Sequence, residues 1–321
     1  MEIVDLPHLP PKLHPQLADL GVLNGDAPQD IAFIRRLEHL KGFRTAPYYG
    51  VYAVDAGEIL AKVEAVHPRF TFPPGAATTM LGIVDVFTRP DSLRRGLARQ
   101  LLEEVHRREQ RLGRPWSFLW THASWGAHRL YEQLGYRDVY RPWTAVRRVP
   151  PRSDSAATRP YRLRAARRSD LPLVERLRHR AGRGRIGFTP AFPHLIPTVV
   201  GLGWRQPGDF RILERRRTAA GYALVLEKPT HVLASDIVVS AAMHADAMID
   251  ELEALASDRW LALDLTTFVR DHAPRLRERG YRLSLTSHRT LMAMRLGEGG
   301  PEDVREVCGA SNFMCVGLDR F

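Results

Sequence analysis

Cysteine, lysine and long apolar runs are all scarce in this chain of 321 residues. Only Cys308 and Cys315 occur, so the sequence predicts no disulfide framework and is typical of the reducing cytoplasm. No histidine lies near this pair, and we expect no metal site. No segment approaches the roughly 20 consecutive apolar residues of a membrane span, and the N-terminus lacks the basic and apolar regions of a signal peptide. We therefore expect a cytoplasmic protein with no membrane partner.

Lysine occurs only four times, so all but four of the 47 basic residues are arginine, and the net charge is +11. The arginines are scattered, often beside aspartate or glutamate, and no basic block alternates with aromatic residues. This pattern disfavours a nucleic-acid partner. The positive charge still favours anionic ligands.

Residues 149–160, VPPRSDSAATRP, have the composition of a linker. On both sides of it the hydrophobic patterns follow one order: a helix, several strands, a helix, a strand, a helix and a final strand. The sequence therefore predicts two tandem α+β domains on mixed sheets, over residues 1–148 and 161–296, and a C-terminal tail over 297–321.

Each predicted element has its own apolar pattern. In the first domain we predict helices over 30–41, 96–112 and 124–134, and strands over 49–54, 59–66, 80–88, 116–121 and within 136–148. In the second we predict helices after Ser169-Asp170, over 243–257 and over 273–279, and strands over 161–165, 210–214, 221–227, 231–240, 260–266 and 290–296. Residues 183–208 are rich in glycine and proline and predict an irregular connection.

The segment from Ile83 to Leu102, IVDVFTRPDSLRRGLARQLL, has the pattern of a strand, a tight turn and a helix. Pro90 ends the strand because it has no N–H to donate. Gly96 and Ala98 are small enough for an anion to approach the backbone, where the unpaired N–H groups of a helix start attract negative charge. Three side chains add positive charge: Arg94, Arg95 and Arg99. The spacing alone indicates either an anion site or an ordinary helix entry, and neither nucleotide-binding glycine motif is present.

A second segment, THASWGAHRLYEQLGY from Thr121 to Tyr136, predicts a short amphipathic helix. Its apolar positions share one helical face: Ala127, Leu130, Tyr131 and Leu134. On this pattern alone a helical tyrosine is more often a core residue than a catalytic one.

Together the two segments resemble the GCN5-related N-acetyltransferase (GNAT) family. The first is similar to the family's acetyl-CoA loop, [QR]-x-x-G-x-[GA], with Gly96 and Ala98 at the small positions and Leu93 where the family has Gln or Arg. The second is similar to the family pattern N-x-x-A-x-x-L-Y-E-x-L-G-[FY], with Ser124 in place of the usual asparagine. The resemblance is strongest over residues 80–148.

The resemblance implies an acyl-CoA N-acyltransferase fold, acetyl-CoA as the acyl donor, and a primary amine that attacks the thioester directly. The implied CoA-binding residues are Val86, Phe87, Thr88, Arg94, Arg95, Gly96, Leu97, Ala98, Arg99 and Ser124. A backbone N–H near Phe87 or Thr88 would stabilise the oxyanion, and Tyr131 would protonate the leaving thiolate.

The general base is less defined. The resemblance indicates Asp85, which by position alone is equally a strand residue on the solvent face. Two-domain members of the enhanced-intracellular-survival type use their C-terminal carboxylate as a base, which here implies Phe321. A tail packed in a groove is the simpler interpretation of this apolar C-terminus.

The second half resembles a degenerate copy of the first. Its loop after the fourth strand, from Ser240 to Asp246, has no Gly or Arg, and its last helix has no tyrosine. We therefore expect one active site, in the first domain, and a second domain that shapes the acceptor pocket. A small amine, an aminoglycoside-like antibiotic, a peptide N-terminus and a lysine all stay open as acceptors. The alternatives are a CoA-binding sensor or scaffold without turnover, and a basic nucleic-acid binder.

Overall fold

The computed structural model describes residues 1–24, 49–73, 75–151, 160–188, 195–264, 267–285 and 289–314. Two units share the chain: unit 1 comprises Met1–Tyr140 and Thr290–Arg305, and unit 2 comprises Arg141–Arg289 and Glu306–Arg320. The predicted helix over 30–41 and the predicted role of Phe321 concern residues outside the described ranges.

Unit 1 is built on a seven-stranded mixed sheet. Its strands, in chain order, are β1 (Glu2–Asp5), β2 (Tyr49–Asp55), β3 (Glu58–Val66), β4 (Arg69–Phe72), β5 (Ala76–Thr79), β6 (Leu81–Thr88), β7 (Trp116–Thr121), β8 (Arg137–Tyr140) and β17 (Thr290–Arg295). The sheet runs β1-β2-β3-β6-β7-β17-β8, and β4 pairs with β5 as a hairpin. Neighbouring strands are antiparallel except β6 and β7, which are parallel.

Three helices of unit 1 fall in the described ranges: α1 (His14–Leu23), α2 (Leu97–Arg111) and α3 (Gly126–Gln133). The predicted apolar face of α2 is confirmed, since its inward side chains are buried: Leu97, Leu101, Leu102 and Val105. They join a core formed by the sheet and by α3. No helix in the described part of the chain is both long and apolar enough to cross a membrane.

Unit 2 repeats this topology. Its strands are β9 (Trp143–Arg148), β10 (Tyr161–Ala165), β11 (Ile186–Gly187), β12 (Phe210–Arg215), β13 (Thr218–Glu227), β14 (His231–Val239), β15 (Trp260–Leu263), β16 (Arg282–Leu285) and β18 (Phe313–Met314). Its helices are α4 (Leu171–Ala181), α5 (Leu195–Gly201), α6 (Ala245–Leu255), α7 (Thr267–Asp271) and α8 (Ala273–Glu278), and α9 (Val304–Gly309) follows β17. The sheet runs β10-β12-β13-β14-β15-β9-β16, and only β14 and β15 are parallel.

The last strand that the sequence predicts for each half of the chain pairs in the sheet formed by the other half. β9 pairs with β15 and β16, and β17 pairs with β7 and β8. The predicted boundaries, which keep residues 143–148 in the first domain and 290–296 in the second, therefore differ from the division of the structure at these two strands. The reason is physical: alternation along a strand reports which face is buried, whereas the choice of partner strand depends on long-range pairing.

Other differences are local. Residues 195–201, inside the predicted irregular connection, form α5. The patterns of α1, β1, the β4–β5 hairpin and β16 are too short or too weak in period to have been predicted. The predicted helix over 273–279 is preceded by a separate short helix, α7.

We predict that a fragment of residues 1–148 will not unfold cooperatively. It lacks β17, whose buried Leu291 and Met292 lie between β7 and β8, so β8 loses the strand with which it pairs. Thermal unfolding followed by circular dichroism, with the full chain as reference, tests this. A sharp transition near that of the full chain would contradict it.

A second prediction concerns His106 on α2. Its Nε2 lies 2.8 Å from the Tyr136 hydroxyl, and burial lowers the pKa of His106 to about 4. Between about pH 6.5 and 4 the unfolded chain therefore takes up a proton that the folded chain does not, so this group destabilises the fold as pH falls through that window. Urea unfolding at pH 7 and pH 5 should show a smaller loss of stability in His106→Gln than in the wild type. An equal loss of stability in the two proteins would contradict this prediction.

Candidate functional site

The parallel strands of unit 1 pair over only a short distance. β6 and β7 are paired from Leu81 to Ile83 of β6, and then they separate. At the same point the register of β3 and β6 shifts, which leaves Val84 as an extra residue on β6. Such a bulge bends a strand and re-aims the backbone that follows it. The second half of β6 therefore has β3 on one edge and an opening on the other.

This opening decides which backbone groups of β6 can meet a ligand. The N–H of Arg89 donates to the Leu60 oxygen on β3 at 2.9 Å. Because successive N–H groups of a strand point to opposite edges, the Phe87 N–H also points toward β3. The N–H groups of Val86 and Thr88 point to the edge that β7 has left. Of the two residues predicted for the oxyanion contact, only Thr88 presents its N–H to the opening.

The predicted anion loop connects β6 with α2. Gly96 is the N-cap of α2 with φ +76°, a left-handed conformation that glycine adopts without strain, and no side chain caps the helix. The first-turn N–H groups are therefore available to an anion. Arg94 and Arg95 are exposed, and one Arg95 nitrogen lies 3.5 Å from Asp55. Arg99 donates to the side-chain oxygen of Gln133 on α3.

These features meet the needs of an acyl-CoA pyrophosphate, which requires close backbone approach, free amide groups and positive charge. Leu93, the departure from the family loop, has a side chain that is 56% exposed. The Leu93 side chain can therefore contact a ligand, but because it is uncharged it adds no positive charge to the loop.

Tyr131 projects from α3 into the core of unit 1. It is 6% exposed, and its ring meets that of Tyr136 edge-on, with 5.9 Å between ring centroids. Burial, together with the nearby Asp85 carboxylate, raises the pKa of Tyr131 to about 12. The structure thus brings the two predicted catalytic residues close enough for the charge on one to act on the other.

Asp85 has partners that the sequence analysis did not identify. Its Oδ2 lies 2.6 Å from Nζ of Lys62 on β3, and its Oδ1 accepts a hydrogen bond of 3.0 Å from Asn24, just after α1. Lys62 also lies 3.2 Å from Glu64. Burial lowers the pKa of Lys62, but the Glu64 and Asp85 carboxylates outweigh that effect and raise it overall. One signal was available in the sequence: Lys62 is one of only four lysines, and together with Glu64 it interrupts the apolar run from Ile59 to Val66.

Ser124 lies on the loop between β7 and α3 and is exposed. It lies two residues after His122, whose ring stacks on that of Trp125 with 4.4 Å between the ring centroids. No measured contact links Ser124 to Asp85 or to the start of α2 among the described residues, so its contact with the pantetheine arm stays a prediction.

The corresponding strands of unit 2 carry a different set of polar side chains. Counted from the bulge in each unit, Lys62, Glu64 and Asp85 correspond in strand register to Gly221, Ala223 and Ile237. Asp236 lies at the bulge of unit 2 itself, is fully buried and accepts a hydrogen bond of 2.9 Å from the Tyr222 hydroxyl. The parallel strands of unit 2 separate in the same way, since β14 pairs with β15 only as far as Ala234. The loop that follows β14 leads to α6, whose first turn carries the acidic Asp246.

A cavity of about 520 Å³ lies in unit 2 near the end of β14. Its lining residues are Arg185, Val239, Ala242, Asp271, His272, Ser311 and Asn312. Arg185 and Asp271 form an ion pair of 2.7 Å within it. The lining thus has one arginine, which is paired, and no glycine, unlike the loop of unit 1.

Comparison with known proteins agrees with this geometry. Residues 28–139 match the family model described as an acetyltransferase (GNAT) domain. This match confirms the predicted resemblance. Over those residues the chain is therefore similar to the GNAT acetyltransferases. No curated protein sequence matches the chain significantly.

Solved structures show that the fold extends over both units. A probable N-acyltransferase from Enterococcus faecalis is 12% identical, with a TM-score of 0.64 over 92% of this chain and 72% of that one. A GCN5-related N-acetyltransferase from Anabaena variabilis is 13% identical, with a TM-score of 0.62 over 92% and 73%. A tandem GNAT protein from the clavulanic acid biosynthesis pathway is 15% identical, with a TM-score of 0.52 over 94% and 99%. At these identities the likeness establishes the fold, two tandem units of the GNAT type, and is consistent with acyl transfer in general.

The conformation of the anion loop yields a prediction. Gly96→Ala places a side chain at positive φ, which costs about 1 kcal/mol of folding stability. Arg94 also has a positive φ, of 63°, so Arg94→Gly should stabilise the fold by up to about 1 kcal/mol while removing a cation. Urea unfolding measures both changes, and calorimetry with CoA should show weaker binding in each variant. Stronger CoA binding by Arg94→Gly would show that this arginine does not contact the phosphates.

Proposed function

We propose that unit 1 is an acyl-CoA-dependent N-acyltransferase that transfers an acetyl or other acyl group to a primary amine. The observation that carries the proposal is the position of Asp85 and Tyr131. Asp85 lies on β6 beyond the point where β7 separates, and Tyr131 is close enough for the Asp85 carboxylate to raise its pKa. The uncapped start of α2 follows the same strand. An acid, a base and an anion site at one opening are the components that direct acyl transfer from CoA requires.

The acyl donor would be held by backbone and side-chain groups of unit 1. Val86 and Thr88 offer N–H groups to the pantetheine arm and to the thioester oxygen. The loop from Arg94 to Arg99, including Gly96, Leu97 and Ala98, offers amide groups and positive charge to the pyrophosphate. Ser124 offers a hydroxyl group. Acetyl-CoA supplies the activated carbonyl, and we propose no metal.

The proposed chemistry is a direct transfer in a ternary complex. The amine nitrogen forms a bond to the thioester carbon, and the carbon–sulfur bond then breaks. Asp85 takes up the proton that the ammonium of the acceptor must lose before attack, and Tyr131 gives its hydroxyl proton to the departing sulfur. The second proton, which the nitrogen loses after the new bond has formed, returns to the Tyr131 oxygen and restores its hydroxyl group. Its pKa of about 12 keeps Tyr131 protonated at neutral pH, so the donor is in the correct state before each turnover.

Small amines and peptide amines are both acceptors of the required chemistry. Unit 2 lacks the three charged residues and the anion loop, which supports a single reaction site per chain. A CoA-binding sensor without turnover is the second candidate, and the neutral Leu93 in the anion loop is the feature that favours it.

The test combines binding with turnover. Calorimetry should show binding of acetyl-CoA, and a panel of small amines, aminoglycosides and peptides should contain at least one that releases free CoA thiol. Binding without release across the panel would favour the sensor, and absence of binding by any acyl-CoA would overturn the proposal.

Variants of Tyr131 test its role separately. We expect Tyr131→Phe to lower kcat by about 100-fold or more while acetyl-CoA still binds, because only the proton donor is lost. The matched control is Tyr161→Phe in unit 2, where the hydroxyl pairs with His244 at 2.9 Å. An unchanged kcat in a folded Tyr131→Phe variant would exclude the general-acid role.

A further inference from the structure

Three charged side chains form a buried row beside the opening of unit 1. Lys62 lies between Glu64, at 3.2 Å, and Asp85, at 2.6 Å. The side chains of Lys62 and Glu64 are 2% and 4% exposed, whereas that of Asp85 is 13% exposed. Buried charges persist only when they are paired, because their loss of water must be offset. Asp85 is therefore the most solvent-exposed member of the row.

The strand register accounts for this arrangement. Glu64 is the cross-strand partner of Asp85, and Lys62 is the partner of Phe87. Side chains two residues apart on a strand share a face, so all three charges lie on one face of the sheet. Unit 2 forms the same sheet with Gly221 and Ala223 at the register positions of Lys62 and Glu64, and with Asp236 at its bulge. The sheet therefore forms without a counterpart of Lys62 or Glu64.

We propose that Lys62 and Glu64 are positioning residues that act on Asp85 as a pair. Lys62 holds the Asp85 carboxylate at the opening, and Glu64 offsets the charge of Lys62 so that Asp85 can still accept a proton from the acceptor. This inference rests on the proposed function of unit 1.

The electrostatic argument has two opposing parts. A cation beside a carboxylate favours its ionised form and makes it a weaker base. A second carboxylate beside the same cation works against that effect. With both neighbours present, Asp85 is fixed in position by an ion pair whose cation is shared with a second carboxylate.

Among the described residues, the groups that act on Asp85 come from three elements of unit 1. Lys62 and Glu64 lie on β3, Asn24 follows α1 and donates to Oδ1, and Tyr131 lies on α3. Asn24 is uncharged, and Tyr131 stays protonated at neutral pH. Among these neighbours, Lys62 and Glu64 are thus the two whose charges act on Asp85.

The proposed step is a proton transfer from the acceptor to Asp85. One N–H bond of the acceptor ammonium breaks, the proton bonds to an Asp85 oxygen, and the nitrogen keeps the electron pair with which it attacks. After product release the proton leaves Asp85 for water. Lys62 and Glu64 keep their own protonation states throughout.

The experiment is the pH dependence of kcat/KM for an amine from the panel that is turned over. Lys62→Met removes the cation, so the acid limb should move to higher pH by about 1 unit. Glu64→Gln leaves the cation uncompensated, so the limb should move to lower pH by about the same amount. The double variant Lys62→Met/Glu64→Gln should return the limb toward its wild-type position.

A matched control is Arg164 of unit 2, a cation that lies 2.7 Å from Asp170 and 2.8 Å from Glu214. Arg164→Met breaks a similar arrangement outside the proposed site and should leave the limb in place. Thermal unfolding first establishes that the Lys62 and Glu64 variants are folded. The proposal is overturned if the acid limb of the pH profile stays fixed in these variants, or if it moves in the same direction in both.

A second readout needs no acceptor. The infrared carboxylate band that Asp85→Asn removes is titrated in each background, and its midpoint should shift in the same two directions. If Lys62→Met does not fold, Glu64→Gln and the double variant decide the question. If no amine is turned over, the proposed function fails, and the infrared titration still decides whether the charges are coupled.

Discussion

The separation of β6 from β7 after Ile83 is the constraint on which the rest of unit 1 depends. Backbone N–H and C=O groups must be paired with a partner or with water, and a strand that leaves its neighbour exposes a row of them. Along this row the Val84 bulge turns β6 away, Thr88 presents its N–H, and the chain then enters α2 without a side-chain cap. The amide groups that line the opening and the start of α2 belong to one continuous stretch of backbone. A long ligand can therefore bind along this stretch.

The exchange of the last strands gives each sheet a strand from the other half of the sequence. β17 lies between β7 and β8, and β9 lies between β15 and β16. The sheet of unit 1 is complete only after β17 has been synthesised, which follows all the other strands of both sheets. The two units repeat one topology in the same strand order, which is expected of a duplicated α+β unit.

The two units also serve as an internal comparison. They share the bulge, the separated parallel strands and the order of elements, but unit 1 has the Lys62–Asp85 ion pair and the anion loop, whereas unit 2 has Asp236 bonded to Tyr222 at its bulge. Fold and chemistry are therefore separable here, because the same sheet is formed around two different sets of polar side chains. This is why the likeness to solved structures describes the architecture of the chain and leaves the reaction to be argued from the site.

The sequence by itself determined the local features: the α2 helix with its apolar face, the loop with Gly96, the Tyr131 helix, and the α+β class of both halves. Each depends on residues within a few positions of one another, where periodicity and turn chemistry act directly. Only the tertiary structure decided which sheet receives β9 and β17, that Thr88 rather than Phe87 faces the opening, and that Lys62 is buried against Asp85. These depend on strand register and on pairing between distant segments, and a one-residue change of register reverses every side chain, so no local pattern contains them.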